Sequence, residues 1–309
     1  MLNPTSSVLA NENLELERLL FLLEMLPNPN TRHETLLELE KNKGNVKIAQ
    51  LLWISFGCVA SLIQELVMVY PYLNCAPLNP SLSTRIGCVL ELIHVLASDV
   101  VTRSQFLKSN IIYLLFPLLN GDKNNKTCEY LRLSALGVIC SLITAENNEI
   151  TQYLLNTELF YLLIKIMETS SDLARTVSTY SFLRLITTEI GLSYLCRNSQ
   201  RLSLTLIVLG KMVYSISLNP EKSHKKLLKH ILRCYFRIME DEKSGHSIVF
   251  KNIPNELSYK AFKDILAEDK NCLSMLNQLI EEAEKRSCKY IHEHHHYQYK
   301  IGGRLRYFQ

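Results

Sequence analysis

The chain is poor in the residues that make tight turns, with only 10 glycines and 9 prolines in 309 residues. Proteins built from many short strands need such residues at frequent reverse turns. The low content therefore argues against a many-stranded β-fold. Apolar residues make up 47% and charged residues 21% of the chain, which is typical of a folded protein rather than a disordered one.

The usual catalytic signatures are also missing. The sequence contains no GxSxG elbow, no HExxH helix, no phosphate-binding glycine loop and no GxGxxG, the patterns that mark common hydrolases, metalloproteases and nucleotide-binding enzymes. Its nine cysteines form no CxxC pair and lie mostly in apolar segments, which indicates buried thiols in a reducing compartment rather than disulfides. An enzyme is therefore the least favoured function, and no cofactor is expected.

Secretory and membrane-spanning features are not expected either. Met1–Asn13 lacks a basic segment followed by an apolar one, the pattern of a signal peptide. The charge-free stretch Ile48–Gln64 contains several polar residues, so it indicates a buried helix rather than a membrane span. We expect a protein of the cytoplasm, with the nucleus as a second compartment, and no membrane partner.

Excess positive charge is confined to the C-terminus. The whole chain carries 34 Lys and Arg against 30 Asp and Glu, while residues 285–309 carry six basic residues and one acidic residue. Any nucleic-acid surface on the body must therefore come from local arrangement. Four of the nine histidines lie in His292–Tyr297. Because no second ligand cluster has matching spacing, we interpret this as a solvated His-rich tail and expect no metal site.

Helical periodicity dominates the rest of the chain. Leu16, Leu19, Leu20, Leu23 and Leu26 show three-and-four spacing, which predicts an amphipathic helix. The same spacing recurs between residues 62 and 70 and between 227 and 238. Turn residues predict a helix at 32–41, a helix end at 119, and a helix from about 201 to 218. The sequence therefore predicts an all-α protein.

An internal repeat refines this prediction. The segment Gly57–Ile63 is echoed at Gly87–Ile93 and Gly137–Ile143, and more weakly at Tyr180–Ile186, and the Leu-Ile pairs recur at intervals that average 41 residues. All-helical repeats of about 40–47 residues indicate an armadillo or HEAT stack. Glycine at one point of a repeated helix suits close helix crossing. The alternative is a chance match of aliphatic strings in a helical protein without repeats.

One predicted helix carries a basic stripe. Lys225, Lys229, Arg233 and Arg237 recur every four residues, and such a stripe can follow the phosphates of single-stranded RNA. The alternatives are an ordinary solvated face or a face paired with acidic groups on adjacent helices. Three basic residues elsewhere complete the set of candidate nucleic-acid-binding residues: Arg85, Arg132 and Lys211.

The string Glu129–Ile139 closely resembles the cell differentiation family, the armadillo-type subunit of the CCR–NOT mRNA deadenylase complex. Leu52–Gly57, Leu209–Val213 and Leu227–Arg237 also match, and the resemblance runs from about Glu12 to Lys285. It implies an armadillo-repeat superhelix of about six repeats over residues 12–285. A disordered N-terminus is expected at 1–11 and a basic His-rich tail at 286–309.

The resemblance also implies a function. Members of the family are described as non-catalytic adaptors that dock on the NOT1 scaffold and recruit short helical peptides of RNA-binding repressors, so that the complex deadenylates and represses mRNA. Homodimers and binding of single-stranded nucleic acid in a basic cleft are attributed to the family as well. Direct nucleic-acid binding therefore stands as the alternative function.

Three sets of residues follow from matching the family's pattern to this chain. NOT1 docking is expected at Ile54, Phe56, Ala60 and Val67, of which Phe56, Ala60 and Val67 have the spacing of one helix face. A groove for helical peptides is expected at Tyr130, Gly137 and Val177. A pocket for tryptophan is expected at Ser199, Arg201 and Lys243, but Ser199 stands where an aromatic residue is usual, which removes stacking area.

A nuclear-import-type armadillo receptor is a third reading. It would carry repeated exposed Trp and Asn residues on its concave surface. The single tryptophan, Trp53, lies in an apolar segment, so the sequence argues against this class.

Overall fold

The computed structural model describes residues 4–74, 79–122, 125–144, 147–241, 248–249 and 252–282, with side chains from residue 13 onward. These residues form α-helices, four short 3₁₀ turns and connections, and no strand. The α-helices, in chain order, are α1 Pro4–Met25, α2 Arg32–Lys41, α3 Ile48–Ile54, α4 Cys58–Met68, α5 Pro80–Ser98, α6 Val100–Lys108, α7 Phe116–Leu119, α8 Lys126–Ile143, α9 Asn148–Leu155, α10 Leu159–Thr169, α11 Asp172–Thr187, α12 Glu189–Cys196, α13 Ser199–Leu218, α14 Lys225–Met239, α15 Lys260–Leu266 and α16 at 270–282.

The chain divides into two compact units, Met1–Ser181 and Phe182–Gln309. In the first unit, α5 is the central helix and packs against α2, α3, α4, α6 and α8. In the second unit, α12, α13 and α14 pack against one another, and α13 also contacts the 3₁₀ turn Asn255–Ser258. Each unit buries aliphatic side chains from successive helices, which is how repeat proteins build a continuous core.

Two corners between helices are stabilised by the same pair of hydrogen bonds, donated by the side chains of a Thr-Arg dipeptide. Thr31 Oγ1 donates to the Met25 carbonyl at 2.9 Å, and Arg32 Nε donates to the Leu26 carbonyl at 3.1 Å. Thr102 Oγ1 and Arg103 Nε repeat these bonds to carbonyls six residues earlier, at 2.7 and 2.9 Å. The last carbonyls of a helix have no intrahelical partner, so these side chains satisfy them while the chain reverses.

Most helix boundaries predicted from turn residues agree with the structure. α2 spans Arg32–Lys41, α7 ends at Leu119, and α13 ends at Leu218 before Asn219-Pro220. The N-terminal boundary differs, because α1 begins at Pro4 inside the segment expected to be disordered. The tail at 286–309 lies outside the described residues.

The apolar stretch from Ile48 is not one helix. It forms α3 and α4, whose axes differ by 90° across Ser55–Gly57. Gly57 has φ +76°, the left-handed conformation that side chains with a Cβ rarely adopt. The expected role of glycine in close helix crossing is therefore wrong at Gly57, which makes a corner instead.

By length and composition alone, two of the described helices could cross a membrane, α5 and α13, and a third span would require the bent pair at Ile48–Ile54 and Cys58–Tyr72 to act as one. Of the apolar 18-residue stretch in each helix, 50% is buried inside the protein in α5 and 44% in α13.

Candidate protein-docking surfaces

The corner between α3 and α4 carries exposed apolar side chains. Phe56 is 97% exposed and Ile54 is 75% exposed, while Val67 and Ala60 are also on the surface. Phe56 lies in the bend rather than on α4, so the expected single helix face is corrected to a corner formed by two helices. We call Ile54, Phe56, Ala60 and Val67 the α3–α4 corner. Because several apolar side chains are exposed together here, the corner is a candidate interaction site.

A buried ion network fixes α4 in place beneath this corner. Glu65 is 1% exposed, and its Oε1 accepts from Arg32 Nη1 at 3.2 Å. Its second oxygen pairs with Arg85 Nε. Arg32 also donates to the Pro27 carbonyl at 2.8 Å. Glu65 thereby joins α2, α4 and α5.

Two of the groove residues lie two turns apart on α8. Tyr130 is 47% exposed, and a Cβ added at Gly137 would meet no atom within 4 Å. Gly137 thus faces open space, which an incoming helix could enter. Val177 on α11 is half-buried. The close approach expected of repeated glycines occurs at Gly87 instead, where the Tyr130 ring covers the glycine.

Two of the candidate nucleic-acid residues are engaged inside the first unit. Arg132 is 2% exposed, and its Nε donates to the Leu119 carbonyl at 3.1 Å. It also pairs with Glu129 and donates to the Gly121 carbonyl. A guanidinium buried in this way cannot reach a phosphate, so the expectation for Arg132 is wrong. Arg85 is held by Glu65, as described above.

The basic stripe of α14 is largely paired with acidic residues. Lys225 lies 2.5 Å from Glu268, and Lys229 lies 2.5 Å from Asp269. Both pairs join α14 to the segment that precedes α16. Their hydrogen bonds lower the carboxyl pKa values, that of Asp269 to about 2.

The last two stripe residues differ from each other. Arg237 Nη2 lies 2.7 Å from Glu189, and Arg237 Nε donates to the Ile186 carbonyl at 2.9 Å. Arg233 is exposed and has no ion pair within the described part of the chain. The stripe therefore follows the paired alternative more closely than a phosphate-binding one. Lys211, the remaining candidate, is exposed on α13.

The expected tryptophan pocket contains an aromatic residue that sequence matching did not find. The Arg201 guanidinium lies 3.5 Å from the centroid of the Tyr194 ring and donates to the Tyr194 carbonyl. This stacking is a cation–π contact. Ser199 begins α13 and is exposed, and Lys243 lies outside the described residues. Tyr194 lies on α12 and Arg201 on α13, so no periodicity within one helix signals this pair in the sequence.

No group of three potential metal ligands occurs among the described residues, and the His-rich tail is not among them. The cysteines in the described part of the chain form no disulfide with one another. Burial raises the pKa of Cys58 to about 11 and that of Cys196 to about 12. Such thiols are unreactive at neutral pH because the thiolate is the nucleophile.

Comparison with known proteins assigns the family. Residues 22–283 match the model of the cell differentiation family, Rcd1-like. The chain belongs to this family. It is 33% identical over 256 residues to cell differentiation protein rcd1 of Schizosaccharomyces pombe, covering 82% of this chain and 89% of that protein. It is 34% identical over 255 residues to protein CAF40 of Saccharomyces cerevisiae, covering 81% of this chain and 68% of that protein.

Solved structures support the armadillo class of this Rcd1-like chain. A designed armadillo repeat protein matches with a TM-score of 0.57 and 14% identity, covering 86% of this chain and 99% of the other. A second designed armadillo repeat protein, solved with the peptide (KR)4, matches with a TM-score of 0.56 and 15% identity, covering 86% and 99%. The predicted all-α, armadillo-type fold is thereby confirmed.

Proposed function

We propose that this protein is a non-catalytic adaptor of the CCR–NOT complex, docked on a NOT1-type scaffold, that recruits repressor peptides for mRNA deadenylation and translational repression. The observation that carries the proposal is the α3–α4 corner, where Phe56 is 97% exposed at a position that matches the scaffold-docking residues of the Rcd1-like family. A folded protein gains nothing from holding a phenylalanine in water, whereas a partner that covers it recovers the free energy of burial.

The corner is also rigid enough to serve as a preformed interface. Glu65 and its two arginines hold α4 against α2 and α5, and the left-handed conformation of Gly57 allows the bend at Phe56. A preorganised apolar anchor loses little conformational entropy on binding. Such anchors typically account for about 2–4 kcal/mol of binding free energy each.

The groove on α8 supports the second half of the proposal. Open space at Gly137 lets the backbone of a partner helix approach α8, since no Cβ stands in the way. The exposed ring of Tyr130 offers apolar area and a hydroxyl beside it. Because the corner and the groove use different helices, we expect scaffold docking and peptide recruitment to be nearly independent.

Co-purification with the scaffold tests the proposal. Val67→Tyr and Phe56→Asp should abolish recovery of NOT1 and of the deadenylase subunits from native cells, with an unchanged melting temperature. Val100→Tyr is the matched control, because Val100 is 78% exposed and lies on α6 rather than on α3 or α4. Wild-type recovery of NOT1 by folded Val67→Tyr would contradict the proposal.

Direct binding of single-stranded RNA is the weaker candidate. Arg132 is buried and the lysines at 225 and 229 are ion-paired. Fewer basic side chains are therefore available to RNA than the sequence predicts. Homodimer formation and a cytoplasmic and nuclear location remain part of the proposal and follow from the family resemblance alone.

A further inference from the structure

The exposed surface of the α3–α4 corner continues along α4 and into the turn that follows it. Met68 is 53% exposed at the end of α4, and Tyr72 is 48% exposed in the 3₁₀ turn Tyr70–Tyr72. Ala60 of the corner, Gln64 and Met68 are spaced four residues apart, so they are neighbours on one face of α4. We call four exposed residues the α4 extension: Gln64, Met68, Pro71 and Tyr72.

This part of the chain carries almost no charge. Between Lys47 and Arg85 the sequence has a single charged residue, Glu65, which is buried and ion-paired as described above. At the far end, the amide of the exposed residue Asp122 donates to the Leu73 carbonyl at 3.2 Å, so a charge borders the surface there. Charged residues are depleted at the cores of protein interfaces, where aromatic residues and methionine are enriched. The composition of the α4 extension is therefore typical of an interface core.

The turn that carries Tyr72 is anchored on both sides. Tyr70 Oη donates to the Leu114 carbonyl at 2.5 Å, and Leu73 is buried. The Tyr72 amide donates to the Val69 carbonyl at 3.0 Å. These contacts fix the backbone at Tyr72, while about half of its side chain stays exposed. A tyrosine on a fixed backbone loses little conformational entropy when a partner covers it.

The α3–α4 corner alone is too small to hold a scaffold subunit. Stable interfaces bury about 800 Å² on each partner and involve about 20–30 residues a side, whereas the corner has four. A partner seated on the corner must therefore cover adjoining surface as well, and the α4 extension adjoins it on the same helix face. A charged side chain of the partner would lose water on this surface and gain no opposite charge, which is unfavourable.

We propose that the NOT1-type scaffold covers the α4 extension together with the α3–α4 corner, and that the part of the scaffold seated on the extension is apolar and uncharged. This inference rests on the proposed docking function and names the chemistry of the partner at that site. It adds Met68 and Tyr72 to the residues that contact the scaffold.

Placing either charge at position 68 tests the proposal. The affinity of the full-length protein for the recombinant NOT1-type subunit of the same organism would be measured by biolayer interferometry. Met68→Asp and Met68→Lys should each weaken binding at least about 10-fold, because either charge would be buried against apolar atoms. Met68→Leu should bind as the wild type does, since the two side chains have similar volumes. Leu173→Asp and Leu173→Lys are the matched controls and should change nothing, because Leu173 is 61% exposed on α11.

Tyr72→Asp should weaken binding in the same way, and Tyr72→Phe should not. All variants should keep the wild-type melting temperature, and if a Met68 variant unfolds, the Tyr72 pair decides the question. The inference is wrong if Val67→Tyr abolishes binding while the Met68 and Tyr72 variants bind normally, an outcome that leaves the proposed function standing. Normal binding by Val67→Tyr would instead contradict the proposed docking at the corner, and this inference with it.

Three further outcomes would overturn the inference. Weaker binding with one charge at position 68 and tighter binding with the other would place a charge of the scaffold on the α4 extension. Dimerisation of the wild type that Met68→Asp removes would assign the extension to a second copy of this chain. Co-sedimentation with phosphatidylcholine vesicles that Met68→Asp removes would assign it to lipid.

Discussion

Tyr130 and Gly87 depend on each other. The phenol ring of Tyr130 on α8 lies directly over Gly87 on α5, so that a Cβ at position 87 would be 3.1 Å and 3.2 Å from Tyr130 Cε1 and Cζ and would overlap the hydroxyl. The glycine thereby sets the position of an exposed aromatic residue that belongs to the proposed peptide groove. A residue that contacts no peptide can in this way control the shape of the groove.

Gly87→Ala should weaken binding of a helical repressor peptide while leaving stability nearly unchanged. The added methyl group displaces a side chain whose outer end is free to move, and alanine in a helix interior recovers about 1 kcal/mol relative to glycine. Isothermal titration against the peptide and a denaturant titration would measure the two effects.

Two variants serve as controls for this substitution. Gly137→Ala adds the same methyl group where no atom lies within 4 Å, so the fold should be slightly more stable. Gly137→Trp should fold normally and block the groove. A peptide affinity for Gly87→Ala equal to that of the wild type would show that the position of Tyr130 does not matter.

Glu65→Ala should destabilise the first unit by about 3–5 kcal/mol, because it removes a buried carboxylate and leaves the Arg32 guanidinium uncompensated. Urea unfolding would measure the loss. Glu91→Ala is the control, since Glu91 pairs with Lys43 at 3.1 Å on the surface and such pairs contribute about 0–1 kcal/mol. Similar losses in the two variants would mean that the network beneath the α3–α4 corner contributes no more than a surface pair.

Helix boundaries could be predicted from the sequence where turn residues lie beside the helix ends. α2 and α13 were predicted closely because proline or asparagine stands beside their ends. The corner at Gly57 was not predicted, because the sequence does not distinguish a glycine with positive φ from a glycine inside a helix. The flanking string stays apolar throughout.

The sites were harder to predict because their decisive partners are distant in the chain. The burial of Arg132 depends on carbonyl groups of Leu119 and Gly121, which no side-chain pattern reports. Lys229 likewise forms an ion pair with Asp269, which lies forty residues later in the chain. The exposure of Met68 and Tyr72 was also not predicted, since apolar residues in a helical stretch are normally assigned to the core.

Neutralising the acidic partners of α14 should increase affinity for single-stranded RNA if the stripe can bind phosphate. In Glu268→Gln/Asp269→Asn, Lys225 and Lys229 lose their ion pairs. Each lysine that then engages a phosphate should steepen the slope of log affinity against log salt by about 0.7. Anisotropy with an oligouridine at several salt concentrations would measure the slope.

Asp264→Asn/Glu281→Gln makes the same change in net charge on the same unit, at exposed positions. It should leave the slope unchanged if binding is local to α14. Equal slopes in both double variants and the wild type would exclude the α14 stripe as an RNA-binding surface.

The ion pair between Lys229 and Asp269 should make the second unit sensitive to acid in a narrow range. The hydrogen bond from Lys229, together with one from the Cys272 amide, lowers the Asp269 pKa from 3.8 to about 2. A carboxyl group whose pKa is lower in the folded state stabilises that state above its ordinary pKa and loses this effect as pH falls toward the folded value. The stabilisation of the folded state by Asp269 should therefore be constant above about pH 5 and vanish progressively between pH 3.8 and 2.

In urea titrations, the difference in unfolding free energy between the wild type and Lys229→Met should shrink over that range. Lys226→Met, at a neighbouring exposed lysine, should show no such convergence. A difference that persists unchanged at pH 2 would mean that Lys229 stabilises α14 through its aliphatic chain rather than through Asp269.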